Sequence, residues 1–153
     1  MKLSMLLALF AFAFGAVAFA PAAQATPATP AECAGMTFDQ TIILTEGNDS
    51  YVNFGSVRLL VFGLGGDDRI ALGPSMGDSC VVTGDGLNRV SLRVGNNVVV
   101  GGSAQDIIAG GSGNDTIYGG DAPAATPDQV DGGAGFDTCT GLPNMVAICE
   151  SVN

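Results

Sequence analysis

A nine-residue pattern, present twice without a mismatch, constrains this chain more than any other feature. It reads G-G-x-G-x-D-x-U-x, where U is a large apolar residue, and it occupies residues 110–118 and 132–140. The glycines permit positive φ, the Asp supplies a carboxylate beside the turn, and the last residues alternate like a short strand. Two full copies in 153 residues predict a solenoid of stacked repeats.

Imperfect copies of the unit surround these two. Their ranges are 46–52, 63–71, 83–91, 92–100, 101–109 and 119–131. Asn88 and Asn97 replace the Asp in two of them, and Leu64 replaces a glycine in a third. The copy at 119–131 has about four extra residues in its turn. We expect the turns that lack the Asp to be weaker sites for any ligand of the carboxylates.

Each unit is too short to bury its own apolar residue, so neighbouring units must stack. The stack then has an inward column of apolar side chains: Val90, Val99, Ile108, Ile117, Val130 and Cys139. We therefore predict an all-β fold, a right-handed parallel β-roll (a β-solenoid). Two nonapeptides make one turn, and one short strand lies on each side. The first strand is expected near 41–44, with the segment before it capping the end of the stack.

The chain begins with a segment that we assign to export rather than to the fold. Lys2 precedes a nearly unbroken apolar run, and Ala23-Gln24-Ala25 has the form of a cleavage site, so residues 1–25 are predicted to be a Sec-type signal peptide. Retention of this run as a membrane anchor stays open. Residues 26–32 form a Pro/Ala/Thr linker. Residues 33–153 form one domain, with the best repeats at 83–140 and a C-terminal cap at 141–153. The predicted location is secreted or extracellular.

The charge of the remaining chain limits its partners. After residue 25 it has four arginines, no lysine, no histidine and fifteen acids, a net charge of four minus fifteen, or −11. This excess argues against nucleic acid and against anionic membranes. The acids repel one another unless a cation lies among them. Hard carboxylate oxygens beside Gly-rich turns favour calcium.

These residues resemble the RTX (repeat-in-toxin) β-roll, also known as the hemolysin-type calcium-binding repeat, over about residues 46–140. The resemblance implies calcium ions held between the turns of repeats that lie on the same edge. It pairs Asp115 with Asp137 and Asp106 with Asp128. The implied carbonyl ligands are those of Gly110, Ser112, Gly132 and Ala134. Asp67 and Asp68 are expected to form a further, weaker site.

Four cysteines remain after the leader: Cys33, Cys80, Cys139 and Cys149. An even number in an exported small domain predicts two disulfides, although the sequence alone permits three connectivities. Zinc is the alternative, disfavoured because there is no C-x-x-C pair and no histidine. The segment D-T-C-T-G…I-C-E is also similar to the end of small exported bacterial calcium-binding proteins. That resemblance implies a Cys139–Cys149 bridge and leaves Cys33 with Cys80.

The function predicted is that of an exported calcium-binding protein with no enzyme activity. Repeated identical turns give carboxylates identical environments, whereas acid–base pairs need different ones, and the chain has no ordinary nucleophile–base pair. One alternative is a cell-surface or extracellular adhesion module in which calcium is purely structural. A small carbohydrate-active enzyme is a less favoured alternative.

Overall fold

The computed structural model describes residues 25–73, 77–123, 125–141 and 144–152, and within them the chain forms short strands and a single turn of 3-10 helix at Ala31–Cys33. The first strands are β1 (Gln40–Ile43), β2 (Ser50–Asn53), β3 (Leu59–Phe62), β4 (Arg69–Leu72), β5 (Cys80–Val82) and β6 (Arg89–Ser91). They continue as β7 (Val98–Val100), β8 (Ile107–Ser112), β9 (Thr116–Tyr118), β10 (Asp128–Ala134), β11 (Thr138–Thr140), β12 (Met145–Ile148) and β13 (Ser151–Val152).

The strands alternate between two parallel sheets, which confirms the predicted β-roll. Sheet A has the order β1-β3-β5-β7-β9-β11-β13, and sheet B has the order β12-β10-β8-β6-β4-β2. Between Cys80 and Thr116 each turn of the solenoid takes 18 residues, as two nonapeptides require. The next turn takes 22 residues because the repeat at 119–131 carries its insertion. The insertion therefore leaves the strand register intact.

The core lies between the two sheets and contains the predicted column. In sheet B, Val90 is in register with Ile108 and Ile108 with Val130. In sheet A, Val99, Ile117 and Cys139 stand in the same relation. All six side chains are buried. Burying one Val or Ile side chain contributes about 1.5–3 kcal/mol. Each strand from β5 to β11 places only one side chain in the core, whereas β3 and β4 place two each, so the core is smallest in the later rungs.

A second apolar cluster lies on the outer face of sheet A and was not predicted. Leu60 and Phe62 point away from the core because they alternate with Leu59 and Val61, which point into it. The N-terminal segment contributes Cys33 to this cluster, and partly buried Met36 and Phe38 pack against it. The N-terminal segment, which was expected to cap the end of the stack, therefore packs on the outer face of sheet A.

Both disulfides have the pairing that the resemblance implied. Cys33 bonds to Cys80, with their Cα atoms 6.2 Å apart, and ties the N-terminal segment to β5. Cys139 bonds to Cys149, with their Cα atoms 6.1 Å apart, and links β11 to the residue after β12. No described cysteine is left free for a zinc site.

The predicted leader lies outside the described residues apart from Ala25. Among the residues that are described, no helix is long and apolar enough to cross a membrane.

Candidate calcium sites

Two rows of polar residues run along the solenoid, one on each edge, and each member lies at the start of a strand. Rail A precedes strands of sheet A and consists of Ser79, Asn97, Asp115 and Asp137. Rail B precedes or begins strands of sheet B and consists of Asp49, Asp68, Asn88, Asp106 and Asp128. All rail residues except the partly buried Asp49 are buried. Parallel stacking therefore places equivalent side chains of successive rungs one above another.

Within each rail, a side-chain oxygen accepts a hydrogen bond from the backbone N–H of the preceding rail residue. The N–H of Asp115 donates to Oδ1 of Asp137 at 2.8 Å, and the N–H of Asp106 donates to Oδ1 of Asp128 at 2.8 Å. The structure thus brings together both predicted aspartate pairs. These bonds satisfy turn amides that would otherwise be buried without a partner.

The second carboxylate oxygens decide what the rails can bind. Oδ2 of Asp68, Asp115, Asp128 and Asp137 is buried, and none of the four has a hydrogen-bond partner within the described residues. An unpartnered buried polar atom is costly, and more so if it is charged. A hard cation can be coordinated by a row of such oxygens, and calcium binds six to eight oxygen ligands in flexible geometry. The residues present therefore fit calcium.

Electrostatics in the absence of a cation points the same way. Burial raises the pKa of the Asp128 carboxyl to about 6 from its ordinary value of 3.8. Burial also raises the pKa of Asp115, with the charge of Asp137 acting in the same direction. Between 3.8 and about 6 the metal-free fold binds more protons through Asp128 than the unfolded chain does. Ionisation of this carboxyl therefore lowers stability as the pH rises through that window.

The first glycine of each repeat leaves space for the unpartnered oxygen. A Cβ at Gly110 would lie 2.5 Å from Oδ2 of Asp115 and 2.5 Å from the carbonyl oxygen of Gly132. A Cβ at Gly132 would lie 2.5 Å from Oδ2 of Asp137. The carbonyl oxygen of Gly132 therefore stands close to the carboxylate of Asp115, as expected for two ligands of one ion.

The other two predicted carbonyl ligands are already engaged. The carbonyl of Ser112 accepts from the N–H of Gly95 at 3.0 Å, and that of Ala134 accepts from the N–H of Gly113 at 2.8 Å. A carbonyl oxygen has two lone pairs, so each keeps one for a cation. Among the described residues no three His, Cys, Asp or Glu side chains gather at one point, so any calcium site here must draw largely on the backbone.

Asp106 differs from its predicted partner. Its Oδ2 accepts from the hydroxyl of Thr83 at 2.9 Å and from the N–H of Gly102 at 3.1 Å. Asp128 has no such donors at Oδ2. The structure therefore favours the Asp115–Asp137 pair over the Asp106–Asp128 pair.

The structure separates Asp67 from Asp68. Asp68 belongs to rail B and is buried, whereas Asp67 is exposed and its Oδ1 accepts from the N–H of Leu87 at 2.9 Å. Asp49, at the end of the same rail, has its Oδ2 held by the N–H and hydroxyl of Thr45 at 2.8 and 2.7 Å. Of these three acids only Asp68 offers a buried, unpartnered oxygen.

Two members of the arrangement on rail A were missed from the sequence. Ser79 occupies a rail position, and its Oγ accepts from the N–H of Leu59 at 3.1 Å. Glu150 follows Asp137, whose N–H donates to its Oε2 at 2.9 Å. Neither lies in a Gly-rich turn. Their only sequence signal is a polar residue just before a short strand.

The comparison with known families agrees with this geometry. Residues 93–122 match the model of the RTX calcium-binding nonapeptide repeat (4 copies). The matched residues are therefore similar to RTX repeats, and they lie in the part of the β-roll that contains β7, β8 and β9. The structure continues its register on both sides of the matched residues, from β2 to β11. No curated protein and no solved structure gives a match to this chain.

The glycine space can be tested by filling it. Gly110→Ala would place a methyl group against Oδ2 of Asp115, so we expect calcium affinity to fall about tenfold or more, equivalent to 1.4 kcal/mol or more. Isothermal titration calorimetry on the purified protein measures it. Gly47→Ala is the matched control, because a Cβ there has only an ordinary 3.7 Å contact with Oγ1 of Thr45. Equal affinities for the two variants would contradict this interpretation of the site.

Proposed function

We propose that this chain is an exported protein that binds calcium on its two aspartate rails and is stabilised by it. The observation that carries the proposal is the set of four buried carboxylate oxygens that have no hydrogen-bond partner among the described residues. Two of them lie on consecutive rungs, at Asp115 and Asp137. Calcium bound there would satisfy these oxygens and remove the repulsion between stacked carboxylates. Asp128 and Asp68 would hold further ions on rail B. The role is one of binding, with no enzyme activity.

Calcium binding would contribute directly to folding. The ligands come from turns that are in contact only when the rungs stack, so the free energy of binding adds to the free energy of folding. Extracellular calcium modules have a Kd of about 10⁻⁴–10⁻³ M. At ten times Kd, each site adds about 1.4 kcal/mol. Several such sites would be a large part of the stability of a domain with so thin a core.

A paired substitution tests this proposal. Asp115→Asn with Asp137→Asn keeps the size of both side chains and removes both charges. We expect fewer calcium ions per chain by equilibrium dialysis, and a smaller gain in far-ultraviolet β signal when millimolar calcium replaces chelator. Asp131→Asn is the control for one charge, because Asp131 is exposed on β10 and lies off both rails. Unchanged ion uptake by the double variant would refute the proposal.

Export is part of the proposal, and its support is the leader sequence. The rungs whose buried carboxylates lack partners would stay loosely folded where calcium is scarce and become ordered where it is abundant. We expect the protein purified from its native host to begin at Thr26. Intact-mass measurement of the mature protein checks this. A mass that includes residues 1–25 would show a retained segment and would favour a membrane anchor.

A second candidate function is an interaction module in which calcium is purely structural. The outer face of sheet B favours it. Arg69 and Arg89 are exposed there and stand in register, and neither has an ion-pair partner in the part of the chain that is described, unlike Arg58, which pairs with Asp39 at 2.9 Å. Adjacent like charges oppose each other, so an anionic partner would stabilise this arrangement.

The surroundings of these arginines leave room for a polymer. A groove of about 210 Å³ is lined by Arg69, Arg89 and the short side chains of Ala71, Ser91 and Ala109. It adjoins a second groove of about 640 Å³ that shares Ala109 and extends to Val146 and Ile148. The paired charges of Arg69 and Arg89 fit the anionic groups of a polysaccharide chain, although the protein as a whole is acidic. Exposed Asp131 lines the second groove, so only the first groove would contact those groups.

Binding to dextran sulfate, with uncharged dextran as the reference polymer, tests the second candidate. We expect the calcium-loaded parent to be retained by dextran sulfate, and retention to be lost in the Arg69→Gln, Arg89→Gln double variant. Arg93→Gln is the control, because Arg93 is exposed but lies outside the groove. No retention of the parent, or equal loss in the control, would rule this candidate out.

A further inference from the structure

Two asparagines interrupt the aspartate rails at buried positions. Asn97 lies on rail A beside Asp115, and Asn88 lies on rail B between Asp68 and Asp106. Their exposed fractions are 2% and 0%, as low as those of the buried aspartates. The sequence alone suggests only that these turns bind calcium less well. The hydrogen bonds show what the asparagines do instead.

The amide oxygen, Oδ1, of each asparagine accepts the same kind of backbone hydrogen bond as Oδ1 of an aspartate. Oδ1 of Asn88 accepts from the N–H of Asp68 at 2.9 Å, and Oδ1 of Asn97 accepts from the N–H of Ser79 at 3.1 Å. The rails therefore continue unbroken through both residues. Asparagine serves as well as aspartate for this backbone-supporting role.

The amide nitrogen, Nδ2, stands where an aspartate has Oδ2, and it is a donor rather than an acceptor. Nδ2 of Asn88 donates to the carbonyl of Gly86 at 2.9 Å, and Nδ2 of Asn97 donates to the carbonyl of Gly95 at 2.9 Å. These bonds fix the amide orientation, since the opposite one would set two acceptor oxygens against each other. Four aspartates of the rails have an Oδ2 without a partner among the described residues, whereas both asparagine turns have a donor already bonded to a turn carbonyl.

Asn97 also acts on the neighbouring rung. Its Nδ2 lies 3.0 Å from Oδ1 of Asp115 and donates to it. The amide thus supplies positive partial charge both to its own turn and to the first aspartate of the predicted calcium pair. It occupies the chemical role that a cation has between two aspartate turns.

We infer that the side-chain amides of Asn88 and Asn97 take the place of calcium in their turns, and so determine which turns bind the ion. The inference rests on the proposed calcium function and deepens it. It distinguishes two kinds of turn. The turns of Asn88 and Asn97 are ordered without calcium, because an amide N–H₂ already binds a turn carbonyl there. The turns of Asp68, Asp115, Asp128 and Asp137, whose Oδ2 has no partner among the described residues, require the ion.

The reverse substitution gives a direct test on the full mature chain with its disulfides intact. Asn97→Asp removes the amide donor and supplies a second carboxylate oxygen in the same place. We expect one additional calcium ion per chain by native mass spectrometry. We also expect a lower melting temperature than the parent in chelator, with the difference abolished in millimolar calcium. Asn88→Asp, on the other rail, is expected to behave in the same way.

Asn96→Asp is the matched control. Asn96 directly precedes Asn97, is exposed and lies on neither rail. Its substitution by aspartate changes the charge by the same amount as Asn97→Asp. Its Oδ1 accepts from the N–H of Asn114 at 2.8 Å, a bond that aspartate can preserve. We expect its calcium count to equal that of the parent.

The outcomes separate this inference from the function on which it rests. A parent protein that binds no calcium refutes the proposed function. A parent that binds calcium, with no additional ion in either Asn97→Asp or Asn88→Asp, overturns the inference alone. If one variant fails to fold even in calcium, the ion count of the other decides. An additional ion in Asn96→Asp would also overturn it, since charge alone would then explain the gain.

Discussion

Parallel stacking places the residues at the same turn position of successive rungs about one strand spacing, or 4.8 Å, apart. In this chain, between residues 68 and 137, a buried acid or amide occupies that position on both edges, except for the buried Ser79 on rail A. One oxygen of each such side chain supports the backbone of the preceding rung. The rest of the structure depends on what binds the second polar atom of each side chain, Oδ2 of an aspartate or Nδ2 of an asparagine. Stacked buried carboxylates repel one another, and the apolar core of these rungs is too small to compensate.

The rails meet this constraint in three ways. At Asn88 and Asn97 an amide N–H₂ binds a turn carbonyl. At Asp106 the hydroxyl of Thr83 and a backbone N–H bind the second oxygen. At Asp115 and Asp137 no donor among the described residues does so. On the proposed function calcium fills this role, and the protein's stability would then depend on the ion only at particular rungs rather than along its whole length.

The fold was largely predictable from the sequence, because the glycines, the acid and the apolar residue recur every nine residues. Ile117 and Val99 could be placed in the core because they are two nine-residue repeats, or 18 residues, apart. The insertion in 119–131 did not disturb the count because it enlarges a turn. The packing of the N-terminal segment on the outer face of sheet A was not predicted. Met36 and Phe38 carry no periodicity, so nothing in the sequence shows that they pack on the outer face of sheet A.

The candidate sites were predictable only in part. The pairing of Asp115 with Asp137 follows from the repeat, and their carboxylates do lie on consecutive rungs. What the sequence could not show is which oxygens already have donors. The hydroxyl of Thr83 reaches Asp106 across 23 positions of the chain, and no local pattern encodes that contact. The role of Glu150 was missed for the same reason, because it depends on the last rung returning to rail A.

An anomalous difference map from a crystal of the mature protein grown with calcium tests the central claim most directly. The account predicts peaks beside Oδ2 of Asp115 and Asp137, with carbonyl oxygens of neighbouring turns completing the coordination, and no peak at Asn88 or Asn97. A fully ordered solenoid with no peak along either rail at millimolar calcium would contradict it.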